Sequence, residues 1–265
     1  MTELSKQIDC AVVTGAGRGI GAAIARHVTS RGVPVLCISR GEHAQKISQE
    51  LSARGGKAFA ISVDLADTDA TKAAVSQWMS NVPYRRFGVV LAAGVTGNAG
   101  GLVDSDLKEW LRVFQTNVTG NLAVVQALLP RMLEAGFGRI LMFGGGGAAY
   151  AYPLFGGYAL SKVAVVRATE NLHAELAWRG DFSVVCLAPG AVETDMLRQI
   201  RKAGGEVRTV ADISEPVNFA EKFLASTNCP FSGRFVHVRD DWAKWLEQKE
   251  AEIPGQQWFL RRIEP

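Results

Sequence analysis

The chain is poor in the residues that build metal centres, disulfide frameworks and charged binding stripes. Its 265 residues hold four cysteines and four histidines. Cys10, Cys37, Cys186 and Cys229 are far apart, and three of them fall in apolar, strand-like runs. That placement reads as buried free thiols in a reducing compartment. His27, His43, His173 and His237 show no ligand spacing with one another or with the cysteines, so no metal is expected. The net charge is only +3, with Lys and Arg interspersed among acids, which offers nucleic acid no basic stripe.

Long hydrophobic runs are missing as well. The uncharged stretch 140–161 is broken by four glycines at 144–147, by Pro153 and by Gly156-Gly157. It cannot be a continuous membrane helix and reads as a buried strand entering a glycine-rich active-site loop. The opening MTELSKQID has no apolar core of the kind a signal peptide needs. A cytoplasmic protein without a membrane partner is expected. No repeat, linker or low-complexity tail divides the chain, so residues 1–265 are read as one domain. With 48% hydrophobic and 21% charged residues, a sizeable core is available.

What is present is alternation. Short, almost wholly apolar runs at 10–14, 33–38, 58–63, 89–93, 139–143, 183–187 and 234–238 read as strands. Helix-period segments at 19–31, 43–54, 69–81, 107–134, 158–179 and 215–226 lie between them. This order predicts an α/β fold: a doubly wound parallel sheet of about seven strands, covered by helices on both faces. After Thr194 the polar stretch 196–214, with its central Gly204-Gly205, is expected to form a mobile flap or a plain surface excursion.

Between the first strand and the first helix stands Thr14-Gly15-Ala16-Gly17-Arg18-Gly19-Ile20-Gly21. Missing side chains let backbone approach a pyrophosphate, and the helix N-terminus adds amide donors and a favourable dipole. At the tip of the second strand, where an acid would hydrogen-bond ribose hydroxyls and repel a 2′-phosphate, the chain has Ser39-Arg40. With Arg18 nearby, two guanidiniums are placed to clamp a phosphate, which favours NADP(H) over NAD(H). Asp64 is either an adenine contact or a helix cap.

Tyr158 and Lys162 lie four apart in GGYALSK and share a helix face if that segment is helical. An ammonium beside a phenol is expected to lower the phenol's pKa from about 10 and make it a usable acid or base near neutrality.

These motifs together resemble the classical short-chain dehydrogenase/reductase family over essentially the whole chain, with a Rossmann-type fold. The resemblance implies that Tyr158 transfers the proton, that Lys162 holds the nicotinamide ribose, and that Asn117 in QTNVTGN anchors a proton relay. It also implies cofactor contacts from Asp64-Leu65, from Ala93-Gly94, and from Pro189-Gly190 with Val192 and Thr194. A homodimer or homotetramer, paired through the helices that carry Asn117 and Tyr158, is implied too.

Two departures stand out. The fourth strand ends Leu91-Ala92-Ala93-Gly94 instead of the family's Asn-Asn-Ala-Gly. More seriously, the family's substrate-binding serine, thirteen positions before the tyrosine, is here Gly145. No Ser or Thr occurs in 140–160, although Tyr150 and Tyr152 offer hydroxyls. Losing one oxyanion donor costs roughly 10²–10³ in rate. The expected activity is therefore interconversion of a secondary alcohol and a ketone on a small or medium polar substrate. The alternatives are a weakened NADP(H)-binding subunit or sensor, or a lyase or epimerase using Tyr158 as base. Trp242, Trp245, Trp258 and Phe259 are expected to pack on the body or a neighbouring subunit, and Arg239, Arg261 and Arg262 either to be solvated surface or to meet an anionic group such as a nucleotide-sugar phosphate.

Overall fold

The computed structural model describes residues 2–247 and 260. The first half runs α1 (Glu3–Gln7), β1 (Cys10–Thr14), α2 (Gly19–Ser30), β2 (Val35–Ser39), α3 (His43–Ala53), β3 (Ala58–Ser62), α4 (Thr68–Ser80) and β4 (Phe87–Leu91). Then come α5 (Leu107–Phe114), α6 (Gly120–Ala135), β5 (Phe137–Phe143), α7 (Gly146–Ala149), α8 (Gly156–Leu176) and β6 (Asp181–Ala188). The chain continues through β7 (Ala191–Val192), α9 (Asp195–Lys202), β8 (Val210–Ala211), α10 (Ser214–Leu224), β9 (Phe235–His237) and α11 (Trp242–Glu247).

Seven strands form one parallel sheet in the order β3-β2-β1-β4-β5-β6-β9. All seven expected strands are present, shifted by a few residues at their ends. Side chains alternate across each strand and so feed two cores. Along β1, Ala11 and Val13 face Ile24 and Val28 of α2 and Phe219 and Phe223 of α10. Cys10 and Val12 face Val75 of α4, Leu128 of α6 and Val165 of α8. The strands read as continuous apolar runs because both faces are covered. All four cysteines are buried free thiols, as their apolar surroundings suggested.

Local chemistry sets the helix ends. Asp67, Asp106 and Thr194 cap α4, α5 and α9 by accepting from the backbone amides of Ala70, Lys108 and Leu197. Gly136, with φ +61°, ends α6 in the left-handed conformation.

Two expectations need correction. The helix expected at 107–134 is interrupted by a π turn over Gln115–Thr119, between α5 and α6. The wide turn admits an extra residue, and Asn117 sits in it with its amide bonded to backbone. The expected flap after Thr194 holds α9, whose Leu197 and Ile200 are buried, and then the short β7–β8 ribbon. The helix was hidden in sequence because only two of its residues are buried. Trp242 is buried edge-on against Phe219 at 4.9 Å, as expected of a packing aromatic. Trp258 and Phe259 lie outside the described residues. Among the described residues, no helix is long and apolar enough to cross a membrane.

The start of α6 depends on one missing side chain. A Cβ on Gly120 would lie 2.1 Å from the Leu65 carbonyl oxygen. Gly120→Ala is expected to lower unfolding stability by about 3 kcal/mol, read as a drop in denaturant midpoint at constant m-value.

Candidate active site

The strand order reverses at β1, which has β2 on one side and β4 on the other. In open α/β sheets such a reversal leaves a crevice outside the carboxyl ends of the strands. A cleft of about 1180 Å³ opens there.

Its floor is the glycine turn. Gly15 has φ +64°, and a Cβ on it would lie 2.8 Å from Ala93 Cα. A Cβ on Gly21 would lie 2.4 Å from the Gly15 carbonyl oxygen. Both positions therefore exclude side chains, and the first residues of α2, Gly19 to Gly21, line the cleft. The ends of β1 and β4 are locked together by Thr14 and Asn121. The Thr14 hydroxyl donates to Asn121 Oδ1 at 2.6 Å and accepts from the Ala93 amide at 3.0 Å. Asn121 Nδ2 donates to the Ala93 carbonyl at 3.0 Å. This network steadies a strand end that lacks the family's asparagine pair.

At the tip of β2 the Ser39 hydroxyl is buried without a hydrogen-bond partner. It lies 3.1 Å from where a Gly17 Cβ would stand, and His43 closes the same corner. An orphaned buried hydroxyl beside a side-chain-free turn fits a ligand oxygen. Arg18 pairs with Asp195 at 3.2 Å, and Arg40 with Asp64 at 3.7 Å. Neither guanidinium is preset for a phosphate, but both side chains are more than half exposed, at 66% and 54%. Such pairs are weak and exchange partners readily. Asp64 caps a turn by accepting from the Ala66 amide, and also meets Arg112 at 3.4 Å. The cap of α4 is Asp67 instead.

Tyr158 and Lys162 stand on one face of α8. The Lys162 ammonium donates to the Phe143 carbonyl at 2.7 Å and lies 5.4 Å from the centre of the Tyr158 ring. Burial lowers the Lys162 pKa to about 8. Tyr158, packed with Val113, Phe155 and Ile200, is 8% exposed. Burial, and secondarily the charge of Tyr152, push its phenol well above the usual range. The expectation of a lowered phenol pKa is thus overturned for the protein's own groups. The cation is turned to a backbone carbonyl, and loss of hydration outweighs its attraction.

Gly145 marks the serine position. Its φ is +150°, where side-chain-bearing residues are strained, and a Cβ there would lie 3.0 Å from Tyr158 Oη. The phenol oxygen occupies the space beside the missing side chain. Asn117 stands one layer behind. Its Oδ1 accepts from the Val95 amide, while Nδ2 donates to the Val95 carbonyl and to Ser161 Oγ. Ser161 Oγ in turn donates to the Tyr158 carbonyl at 2.7 Å.

Every position expected to touch the cofactor lines this one cleft, from Gly15 and Ile20 through Leu65 and Gly94 to Pro189, Gly190, Val192 and Thr194. Asn117 does not line it. Thr14, Asn121, Ser161 and His43 also shape the site without having been expected to, and His237 joins Arg239 in lining the cleft. Asn121, four residues after Asn117, was detectable as a second amide on the same helix face. The folding of β9 back to the cleft left no local signal.

Known proteins fit this architecture. The short chain dehydrogenase family pattern matches residues 9–205. A short chain dehydrogenase of Pseudocercospora fijiensis is 32% identical, covering 92% of this chain and 84% of its own. A candidate NAD(P)-dependent gluconate 5-dehydrogenase from Beutenbergia cavernae, solved with bound NADP at low occupancy, superposes with a TM-score of 0.76. It is 28% identical and covers 90% of this chain and 97% of its own. A 3-oxoacyl-acyl-carrier-protein reductase from Brucella melitensis, solved with bound NAD, gives a TM-score of 0.74 at 27% identity, with coverage of 90% and 94%. A crevice at the sheet's reversal, a glycine turn at one end and a tyrosine–lysine helix at the other accompany a family match over most of the sequence: this chain belongs to the short chain dehydrogenase family.

Proposed function

We propose that the protein is an NADP(H)-dependent oxidoreductase that interconverts a secondary alcohol and a ketone on a small or medium polar substrate. The observation that carries this reading is the Tyr158 hydroxyl in the same cleft as the glycine turn, with Lys162 alongside it on α8. For the cofactor, the side-chain-free turn at Gly15 and Gly21 fits a pyrophosphate, while Pro189, Gly190, Val192 and Thr194 line the opposite wall. Ser39 supports NADP(H) because no carboxylate occupies its place to repel a 2′-phosphate, and Arg18 and Arg40 stand beside it. Solved relatives carry NADP in one case and NAD in another, so the preference rests on these residues.

When bound, the nicotinamide supplies or accepts the hydride. Tyr158 does the rest at the substrate oxygen. Its raised pKa keeps the phenol protonated near neutrality, which suits proton donation and hence ketone reduction. Below about pH 8 Lys162 is charged and stabilises the phenolate that forms as the proton leaves. Asn117 positions Tyr158 through Ser161. Exposed Leu107 and Leu111 on α5 and Leu160 on α8 support pairing of these helices between subunits. A nicotinamide-binding subunit with little turnover is the second reading, favoured by the glycine at 145 and the raised phenol pKa.

Tyr158→Phe is expected to cut NADPH-dependent ketone reduction by about 10³-fold or more while NADPH affinity, read by tryptophan quenching, changes less than about threefold. Wild-type binding without turnover across a broad ketone and alcohol panel would establish the second reading. Gly145→Ser is expected to lower turnover instead of raising it, because the added side chain meets Tyr158 Oη in a strained backbone. A gain of tenfold or more in kcat would contradict this.

Lys162 gives a pH signature. Its folded pKa lies below the ordinary 10.5, so between about 8 and 10.5 the unfolded chain binds more protons and wild-type stability rises with pH. Below about 8 the burial cost is fully present. Lys162→Met is expected to raise stability by about 1–2 kcal/mol at pH 7, net of the lost hydrogen bond. That gain should shrink between pH 8 and 10.5 in denaturant titrations.

A further inference from the structure

We propose that the part of the cleft between Tyr158 and the turn after β9 binds an anionic group of the substrate through Arg239, so that the compound turned over carries a carboxylate or phosphate; this rests on the oxidoreductase reading above. Five arginines line the cleft: Arg18, Arg40, Arg198, Arg208 and Arg239. Four face carboxylates and would have to exchange a partner to meet an anion. Arg18 meets Asp195 at 3.2 Å, Arg40 meets Asp64 at 3.7 Å, Arg198 meets Glu193 at 3.2 Å and Arg208 meets Glu206 at 3.4 Å. Among the described residues Arg239 has no carboxylate partner. Its Nη2 donates to the Val210 carbonyl, which aims the guanidinium and leaves further N–H donors for a ligand.

The turn that presents it is built by its own side chains. Asp240 Oδ2 accepts from the His237 amide at 2.7 Å, and the Asp240 amide donates to the His237 carbonyl at 3.0 Å. The Arg239 amide donates to His237 Nδ1 at 3.1 Å. With Nδ1 accepting that bond, Nε2 is left as a second donor that has no partner among the described residues. Of the acids lining the cleft, Asp240 is committed to this turn and Glu206 to Arg208. A guanidinium held on a stiff turn at the carboxyl edge of the sheet is preorganised for an anion.

Room for the ligand comes from the glycine run. A Cβ on Gly146 would meet nothing within 4 Å, and Gly145 projects no side chain. A substrate can therefore place its carbonyl at Tyr158 and extend past these glycines. Of the two readings open for Arg239, solvated surface or contact with an anionic group, its place in the cleft favours the second. Arg261 and Arg262 lie outside the described residues.

Paired probes test this with NADPH as reductant. 5-Keto-D-gluconate and L-sorbose differ by a carboxylate for a hydroxymethyl group, and fructose 6-phosphate and fructose by a phosphate. Wild type is expected to favour at least one charged probe over its neutral twin by roughly ten- to a hundredfold in kcat/KM, and the better pair identifies the anion. Arg239→Gln should reduce the preference to about twofold, chiefly through KM. Arg179→Gln, an exposed charge removed at the opposite edge of β6, should leave it intact. Equal kcat/KM within both pairs, or a preference that survives Arg239→Gln, overturns the proposal. If wild type oxidises NADPH with no probe, calorimetry of gluconate and inorganic phosphate binding to the NADP-loaded protein decides. Binding that Arg239→Gln abolishes upholds the anion site while the oxidoreductase reading falls; no binding to wild type overturns the site as well.

Discussion

The hydrogen bond from the Lys162 ammonium to the Phe143 carbonyl is the contact on which the geometry of the site depends. It ties α8 to the end of β5 and gives a buried cation an acceptor in place of most of its water. An ammonium at that depth without a partner would be costly enough to neutralise or to push the helix away. With the bond made, Lys162 and Tyr158 keep their register. The phenol oxygen then lies beside Gly145, and the backbone there adopts a conformation that a side chain would strain. The absence of the serine and the placement of the tyrosine are two aspects of one packing solution.

The rest of the cleft is held by contacts of the same kind, between polar groups and backbone at the ends of strands. Thr14 and Asn121 lock β1 to β4, and Asn117 and Ser161 lock the π turn to the N-terminal part of α8. These bonds are mostly buried, where an unmade partner is expensive. The charged pairs of the rim are different. Arg18, Arg40, Arg198 and Arg208 are exposed and paired with acids, so they hold shape weakly and respond to what enters. The interior of the site is therefore stiff and its rim adjustable, a division that suits a tightly oriented reacting centre inside an adaptable mouth.

Removing the serine changes what the pocket can recognise. The glycine run leaves open space next to the phenol, and α9 covers the other side through Ile200 against the Tyr158 ring. The turn after β9, with His237 and Arg239, adds polar surface to the same cleft.

The sequence by itself determined the layered architecture, the seven strands, the glycine turn and the pairing of Tyr158 with Lys162. Each follows from short-range rules: apolar runs buried on both faces, glycines where backbones touch, and two residues one helical turn apart. Tertiary structure decided what depends on groups distant in the chain. The phenol's pKa reflects burial by Val113, Phe155 and Ile200 from three separate segments, which reversed the expectation drawn from Lys162 alone. The π turn that directs Asn117 inward, the helix at 195–202 and the return of Arg239 to the cleft likewise arise from long-range packing. Periodicity records which face of an element is buried, but a side chain's charge state and neighbours are set only when the elements meet.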